Sequence, residues 1–273
     1  MNARSSTTLP SAGGRIHASS VELGCGQHKR EGFFGIDIQG GPGVDLVLDI
    51  EREPLPFEDD TVERIYSSHM FEHLCAPGSP IQTLREIVRV CKHNAEVEIW
   101  TPYGKSNDGL LLGHHNFYTE THWQHICCFY ADTVYLGPAP GRFIWHKTQY
   151  VLDGGILEHL DRLGFPLSFA VDHLYNIVRE FGVFLRVDKT LKKAPNPQTP
   201  IREFGYQRGT ILTTLNGVLE PRQPEPTGNS TPPPPLRYRA VDLLNAKLKE
   251  RAPALHSIAR NLIDRLPALK RIP

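Results

Sequence analysis

The stretch Val21-Glu22-Leu23-Gly24-Cys25-Gly26, followed by Gly35-Ile36-Asp37 and then by Leu48-Asp49, decides the fold. Each piece is a short apolar run that ends in a turn or an acid. In the first, an acid precedes a tight turn whose two glycines let the backbone approach a ligand closely. The acid closing the second suits a ribose diol, and the acid closing the third suits an adenine amino group. A lone Gly-Cys-Gly carries little, because glycine turns are common. Three strand-end features in this order describe a nucleoside pocket. Only about a dozen residues separate Gly24 from Asp37, against about 20 in dinucleotide-binding units. The helix after the first strand is therefore short or missing, and the ordinary dinucleotide reading fails.

Outward from this stretch, strands are expected near 16–23, 33–38, 44–49, 62–67 and 95–101, each bounded by Gly, Pro or acidic turns. Ser79 to Cys91 carries Ile81, Leu84, Ile87 and Val88 at helical spacing, with Pro80 where a first-turn proline belongs. Residues 103–150 are rich in His, Tyr, Trp and Phe and show no long periodicity. Within them Thr119 caps a short helix over Glu120 to Cys128. Phe129 to Tyr150 reads as an inserted hairpin or lid turning at Gly137-Pro138-Ala139-Pro140-Gly141. Val151 to Gly164 reads as an amphipathic helix, and Leu167–Val171 and Val183–Val187 as the final two strands.

Leu23-Gly24-Cys25-Gly26, Asp37, Asp49, Leu55-Pro56-Phe57, the strand Ile65 to His69 and Glu72-His73-Leu74 together resemble the class I S-adenosylmethionine-dependent methyltransferases, in a short methyltransferase type 11-like branch. The resemblance covers about residues 15 to 105. It implies an α/β fold: a doubly wound seven-stranded sheet with the last strand antiparallel, Rossmann-like, with an inserted cap and a C-terminal tail. It also implies S-adenosylmethionine as cofactor. Glu22, Gly24 and Gly26 would cradle its methionyl part and Asp37 its ribose. Asp49 would face adenine, Ile50 would offer its backbone N–H, and Ser68 would close the donor site at the end of the fourth strand.

The implied organisation is a disordered 1–14, a methyltransferase domain over 15–215 with its substrate cap at 103–150, a linker at 216–236 and a tail at 237–273. Gln223 to Pro235 holds six prolines, which gives the linker extended character. The tail carries nine Lys/Arg against three Asp/Glu and short apolar helical runs. A net charge of +0 over 273 residues predicts no general attraction to nucleic acid. The five cysteines show no metal spacing, which fits reduced thiols and a cytoplasmic location. No apolar run is long enough to span a bilayer. A homodimer is compatible with the composition.

Methyl transfer from a sulfonium is an in-line displacement, so much of the catalysis is positioning. A hydroxyl acceptor also needs a group that takes its proton or stabilises the alkoxide. Two histidine clusters offer one: His69, Glu72 and His73 directly after the fourth strand, and His114 and His115 beyond it. Catalysis is expected from His115 first, then His114, His73, Glu72 and His69. These clusters resemble a pattern in the metal-using plant small-RNA 2′-O-methyltransferases and ubiquinone-pathway O-methyltransferases, which implies a divalent metal on His69, Glu72, His73 and His115. His69 stands where that pattern has Glu, which removes an oxygen ligand that Mg²⁺ prefers. The expected reaction is O-methylation of a sugar or oligosaccharide hydroxyl. The alternatives are metal-dependent 2′-O-methylation of RNA and O-methylation of a phenolic or natural-product small molecule.

Overall fold

The computed structural model describes residues 16–215. The disordered N-terminus, linker and tail expected at 1–14, 216–236 and 237–273 lie outside these residues. Nine described strands form one sheet: β1 (Ser20–Leu23), β2 (Phe34–Asp37), β3 (Leu46–Val47), β4 (Val62–Ser68), β5 (Cys91–Pro102), β6 (Arg142–Leu152), β7 (Val178–Asp188), β8 (Ile201–Gly205) and β9 (Thr213–Leu215). Their order is β3-β2-β1-β4-β5-β7-β6-β8-β9. β1 to β5 are parallel, and β7 runs antiparallel between β5 and β6. The chain thus leaves β1 in one direction and returns to extend the sheet from β4 in the other. That reversal opens a crevice outside the carboxyl ends of β1 and β4, where open α/β sheets bind ligands.

β1 to β5 and β7 fall where strands are expected, the expected strand Leu167–Val171 does not form, and β6, β8 and β9 bring the described sheet to nine strands instead of seven. Several local expectations need correction. The cap does not reach residue 150, because Arg142–Leu152 is β6, hydrogen-bonded to β7 on one side and β8 on the other. Its buried Phe143, Trp145, Thr148 and Tyr150 are sheet core, not lid. Leu167–Val171 is not a strand but the start of helix α4 (Leu167–His173), entered from Pro166. A five-residue apolar run does not distinguish the two states by periodicity. The helix expected from Val151 begins only at Ile156, after Gly154-Gly155, and is α3 (Ile156–Leu163).

Helix α1 (Ser79–Val90) follows β4 and buries Leu84, Ile87 and Val88. Each such side chain contributes roughly 1.5–3 kcal/mol on burial. The cap opens with α2 (Glu120–Gln124), capped by Thr119, and continues through two π-helical turns, His125–Phe129 and Ala131–Tyr135. The capped helix expected to reach Cys128 thus gives way to π geometry after Gln124.

The main apolar cluster joins Val21, Ile65, Val97 and Val183 of the sheet to Leu84, Trp123, Ile126 and Val171 of the helices and cap. A second, smaller cluster on the sheet holds Tyr66, Trp100 and Val151 without any helical residue. Cations roof it: Arg30 stands 3.5 Å from the Tyr66 ring centroid and Arg208 4.5 Å from that of Trp100. Residues 24–33 between β1 and β2 hold no helix, as the short Gly24–Asp37 spacing predicts.

Candidate active site

Glu22, Gly24 and Gly26 line the end of β1, Asp37 ends β2, Asp49 and Ile50 follow β3, and Ser68 ends β4. Gly24 adopts φ +69°, and a Cβ there would lie 2.5 Å from the Met70 side chain. Only glycine fits between the two sides of the crevice at this point. Asp37 ties the turn to β2 by accepting hydrogen bonds from the backbone N–H of Gly26 and of Gln39, both at 2.9 Å. Asp49 accepts from Glu51 N–H at 3.1 Å and pairs with Arg52 at 3.3 Å. Buried Glu22 accepts from Arg30 N–H at 2.5 Å. Burial, against the bond and charge of Arg30, pushes its carboxyl above the ordinary value. Ser68 Oγ accepts from Arg208 at 2.9 Å.

On the far side of the crevice the histidines separate into three places. His69, held at φ +53° just after β4, donates from Nδ1 to Glu72 Oε1 (3.1 Å) and from Nε2 to Glu180 Oε2 (2.7 Å). The Glu180 bond, followed by the Glu72 bond, raises its pKa to about 9. Burial pushes Glu180 up, but the bonds and charges of Arg208 and His69 outweigh it and hold its carboxyl at about 2. An imidazolium with both nitrogens committed to carboxylates has no lone pair for a metal or a proton. In the structure both His69 nitrogens are thus engaged by carboxylates, and His69 stands apart from the other histidines expected at the site.

The second place is formed by Glu72, His73 and His114, each offering a ligand atom within 4.8 Å of the others. Glu72 is 1% exposed and sits on a 3₁₀ turn, Phe71–His73. Its Oε1 takes the His69 bond, while its Oε2 is buried with no hydrogen-bond partner. His73 Nδ1 donates to Gly113 O and His114 Nδ1 to Gly109 O, both at 3.1 Å. A carbonyl only accepts, so each Nδ1 carries a proton and each Nε2 is left as the lone-pair atom. The rings meet edge to face with centroids 4.8 Å apart. One carboxylate and two imidazoles suit a transition-type divalent ion better than Mg²⁺, which prefers oxygen. The same groups could take a proton without an ion.

His115 lies elsewhere. Its backbone N–H donates to Glu72 O at 2.7 Å, but its side chain lines a cavity of about 610 Å³ beside the N-terminus of α1. Of the expected set His69, Glu72, His73 and His115, the structure brings Glu72 and His73 together, with His114 and not His115 beside them. Ile81, Leu84, Phe117, Tyr118 and His122 also line that cavity. Burial, with the neighbouring His125, lowers the His122 pKa from its ordinary value. Neither Glu180 nor Arg208 stands out in the sequence, because each is more than a hundred residues from its partner on the β4 side.

Residues 33–99, from β2 into β5, match the family described as "Methyltransferase domain". The chain has the Rossmann-like α/β fold of the class I methyltransferases, with the match to a methyltransferase domain over part of its length. The methyltransferase domain is also similar to solved structures. An S-adenosylmethionine-dependent methyltransferase from Archaeoglobus fulgidus is 13% identical, with a TM-score of 0.41, over 62% of this chain and 86% of that one. The YcgJ protein from Bacillus subtilis is 13% identical, with a TM-score of 0.39, over 65% and 94%. A methyltransferase from Aquifex aeolicus is 16% identical, with a TM-score of 0.36, over 63% and 84%. No curated protein matches the methyltransferase chain. Among its described residues no helix is long and apolar enough to cross a membrane.

Proposed function

We propose that this methyltransferase transfers the S-methyl group of S-adenosylmethionine to a hydroxyl of a sugar or oligosaccharide, activated at Glu72, His73 and His114. The observation that carries this reading is buried Glu72, whose Oε2 has no hydrogen-bond partner and which offers a ligand atom within 4.8 Å of ones on His73 and His114, whose Nδ1 atoms are bonded to carbonyls. A carboxylate oxygen removed from water without a bond is costly, so a group that meets it is expected. Glu22, Gly24, Gly26, Asp37, Asp49, Ile50 and Ser68 hold the donor, with Asp37 taking the ribose hydroxyls.

The acceptor oxygen forms a bond to the methyl carbon as the carbon–sulfur bond breaks, and that electron pair stays on sulfur. The acceptor proton leaves to His73 or His114 Nε2. Glu72, His73 and His114 fit a divalent cation, which when bound would lower the hydroxyl pKa by Lewis acidity. The cavity, which Glu72, His73 and His114 do not line, suits a further ring of an oligosaccharide whose reacting hydroxyl lies at the cluster: Phe117 and Tyr118 offer faces for ring C–H groups, and His115 and His122 offer hydrogen bonds. Its apolar wall of Ile81, Leu84 and Ile126 also admits a phenol, which is the second reading. Few cations between 103 and 150 (Lys105, with Arg142 and Lys147 on β6) favour RNA, and Arg142 is spent on Asp132 and backbone carbonyls.

Turnover of methyl-labelled donor across a panel of oligosaccharides and phenols, with and without EDTA, tests the proposal. Methylation of an oligosaccharide that falls at least a hundredfold in His73→Ala and His114→Ala is expected. Turnover of phenols alone, or wild-type rates in both variants, would overturn it.

A further inference from the structure

We propose that Arg208 is a positioning residue that, through Glu180 and His69, holds the Glu72 carboxylate with Oε2 free for the site. The inference rests on the reading of Glu72, His73 and His114 as the activating cluster.

Arg208 lies between β8 and β9, far in sequence from β4, yet every nitrogen of its guanidinium is engaged by residues of β4 or β7. Nη1 donates to Tyr66 Oη at 3.0 Å and to Ser68 Oγ at 2.9 Å. Nε and Nη2 grip Glu180 at 2.9 and 2.5 Å, a bidentate fork. The guanidinium plane rests over Trp100, and the next residue, Gly209, donates its N–H to Gln149 Oε1 on β6 at 3.0 Å. A side chain pinned at this many points has little freedom left. Glu180, gripped by Arg208, fixes His69 Nε2, and His69 Nδ1 fixes Glu72 Oε1.

The consequence falls on Glu72. Its carboxylate could otherwise rotate about the terminal bond and exchange its two oxygens. With Oε1 tied to His69, only Oε2 is left for a cation or an acceptor hydroxyl. Groups that orient metal ligands in this way are worth 10–100-fold in metal affinity. The same guanidinium also touches Ser68 at the proposed donor side, so one residue spans both halves of the reaction.

The test uses the full chain and Co²⁺ alone as the probe, followed by its visible d–d absorption. Wild type should bind Co²⁺, and His73→Ala and His114→Ala should lose the bands. Arg208→Ala should bind about tenfold or more weakly, with shifted bands that report altered coordination. Arg208→Lys should recover part of the affinity. Glu180→Gln should resemble Arg208→Ala, and the double variant should be no weaker than either single one, because both act along one path. A guanidinium that merely held the β8–β9 turn would leave the band positions unmoved and add to Glu180→Gln. Wild-type affinity and bands in Arg208→Ala, with both histidine variants inactive as binders, would overturn the positioning role alone. Absence of Co²⁺ bands in wild type, or wild-type bands in both histidine variants, would overturn this inference, whereas the cluster reading falls when His73→Ala and His114→Ala keep wild-type turnover.

Discussion

At Glu180 burial and two cationic neighbours pull in opposite directions, and the cations win. Its folded pKa of about 2 lies below its ordinary 4.5, so its contribution to stability is present above pH 4.5 and is lost as pH falls toward 2. His69 has the opposite sign. Its folded pKa of about 9 lies above 6.5, so its contribution is complete below pH 6.5 and is lost as pH rises through 9. The two windows overlap between pH 4.5 and 6.5. Thermal melts of wild type and His69→Gln should therefore differ most near pH 5–6 and converge by about pH 10. A constant difference across that range would show that the network contributes through packing and not through charge.

Among the elements, β7 shows how tightly the sheet is set. Gly182 lies under the Trp100 ring, and a Cβ there would sit 2.4 Å from the indole. Trp100 is pinned by its own Nε1 bond to Glu98 at 2.6 Å and by Arg208 above it. Gly182→Ala should cost about 1–3 kcal/mol by overpacking. The check is a urea melt followed by tryptophan fluorescence. Elements of this kind divide into those the sequence announces and those it hides. β1 runs into Gly24, β2 ends at Asp37 and β4 at Ser68, so these strand ends were readable from turn chemistry and spacing. β6 was not, because its aromatic and histidine content follows a Gly-Pro-Ala-Pro-Gly turn and imitates a lid. α4 was not, because its apolar run is too short for its period to show. In the site, Glu72 and His73 were legible from their place after β4. The choice of His114 over His115 depends on which neighbour faces His73, which adjacency in sequence leaves open. The Glu180–Arg208 fork joins segments that only the β5-β7-β6 order brings together.

For the molecule as a whole, the described helices bury into one cluster while the other face of the sheet is roofed by arginine. Stability on that second face is electrostatic and aromatic in kind, worth about 0.5–2 kcal/mol per cation–ring contact. If Glu72, His73 and His114 hold a cation, that ion ties the turn after β4 to the segment before the cap. Saturation at 100 times its Kd should stabilise the fold by about 2.7 kcal/mol. Calorimetric melts with Co²⁺ or Zn²⁺ against EDTA will read this directly, and identical melts would exclude a bound ion at the site. The link between β1 and β2 carries a different consequence. A helix would protect its amides as one ladder, opening and closing together. Here Gly24 and Cys25 share the Ile36 carbonyl, while Gly26 donates to Asp37, Arg30 to Glu22 and Phe33 to Arg30, so the bonds form no ladder. Deuterium should enter residues 24–33 amide by amide, at unrelated rates, and a bound donor should slow some of those amides while leaving others untouched.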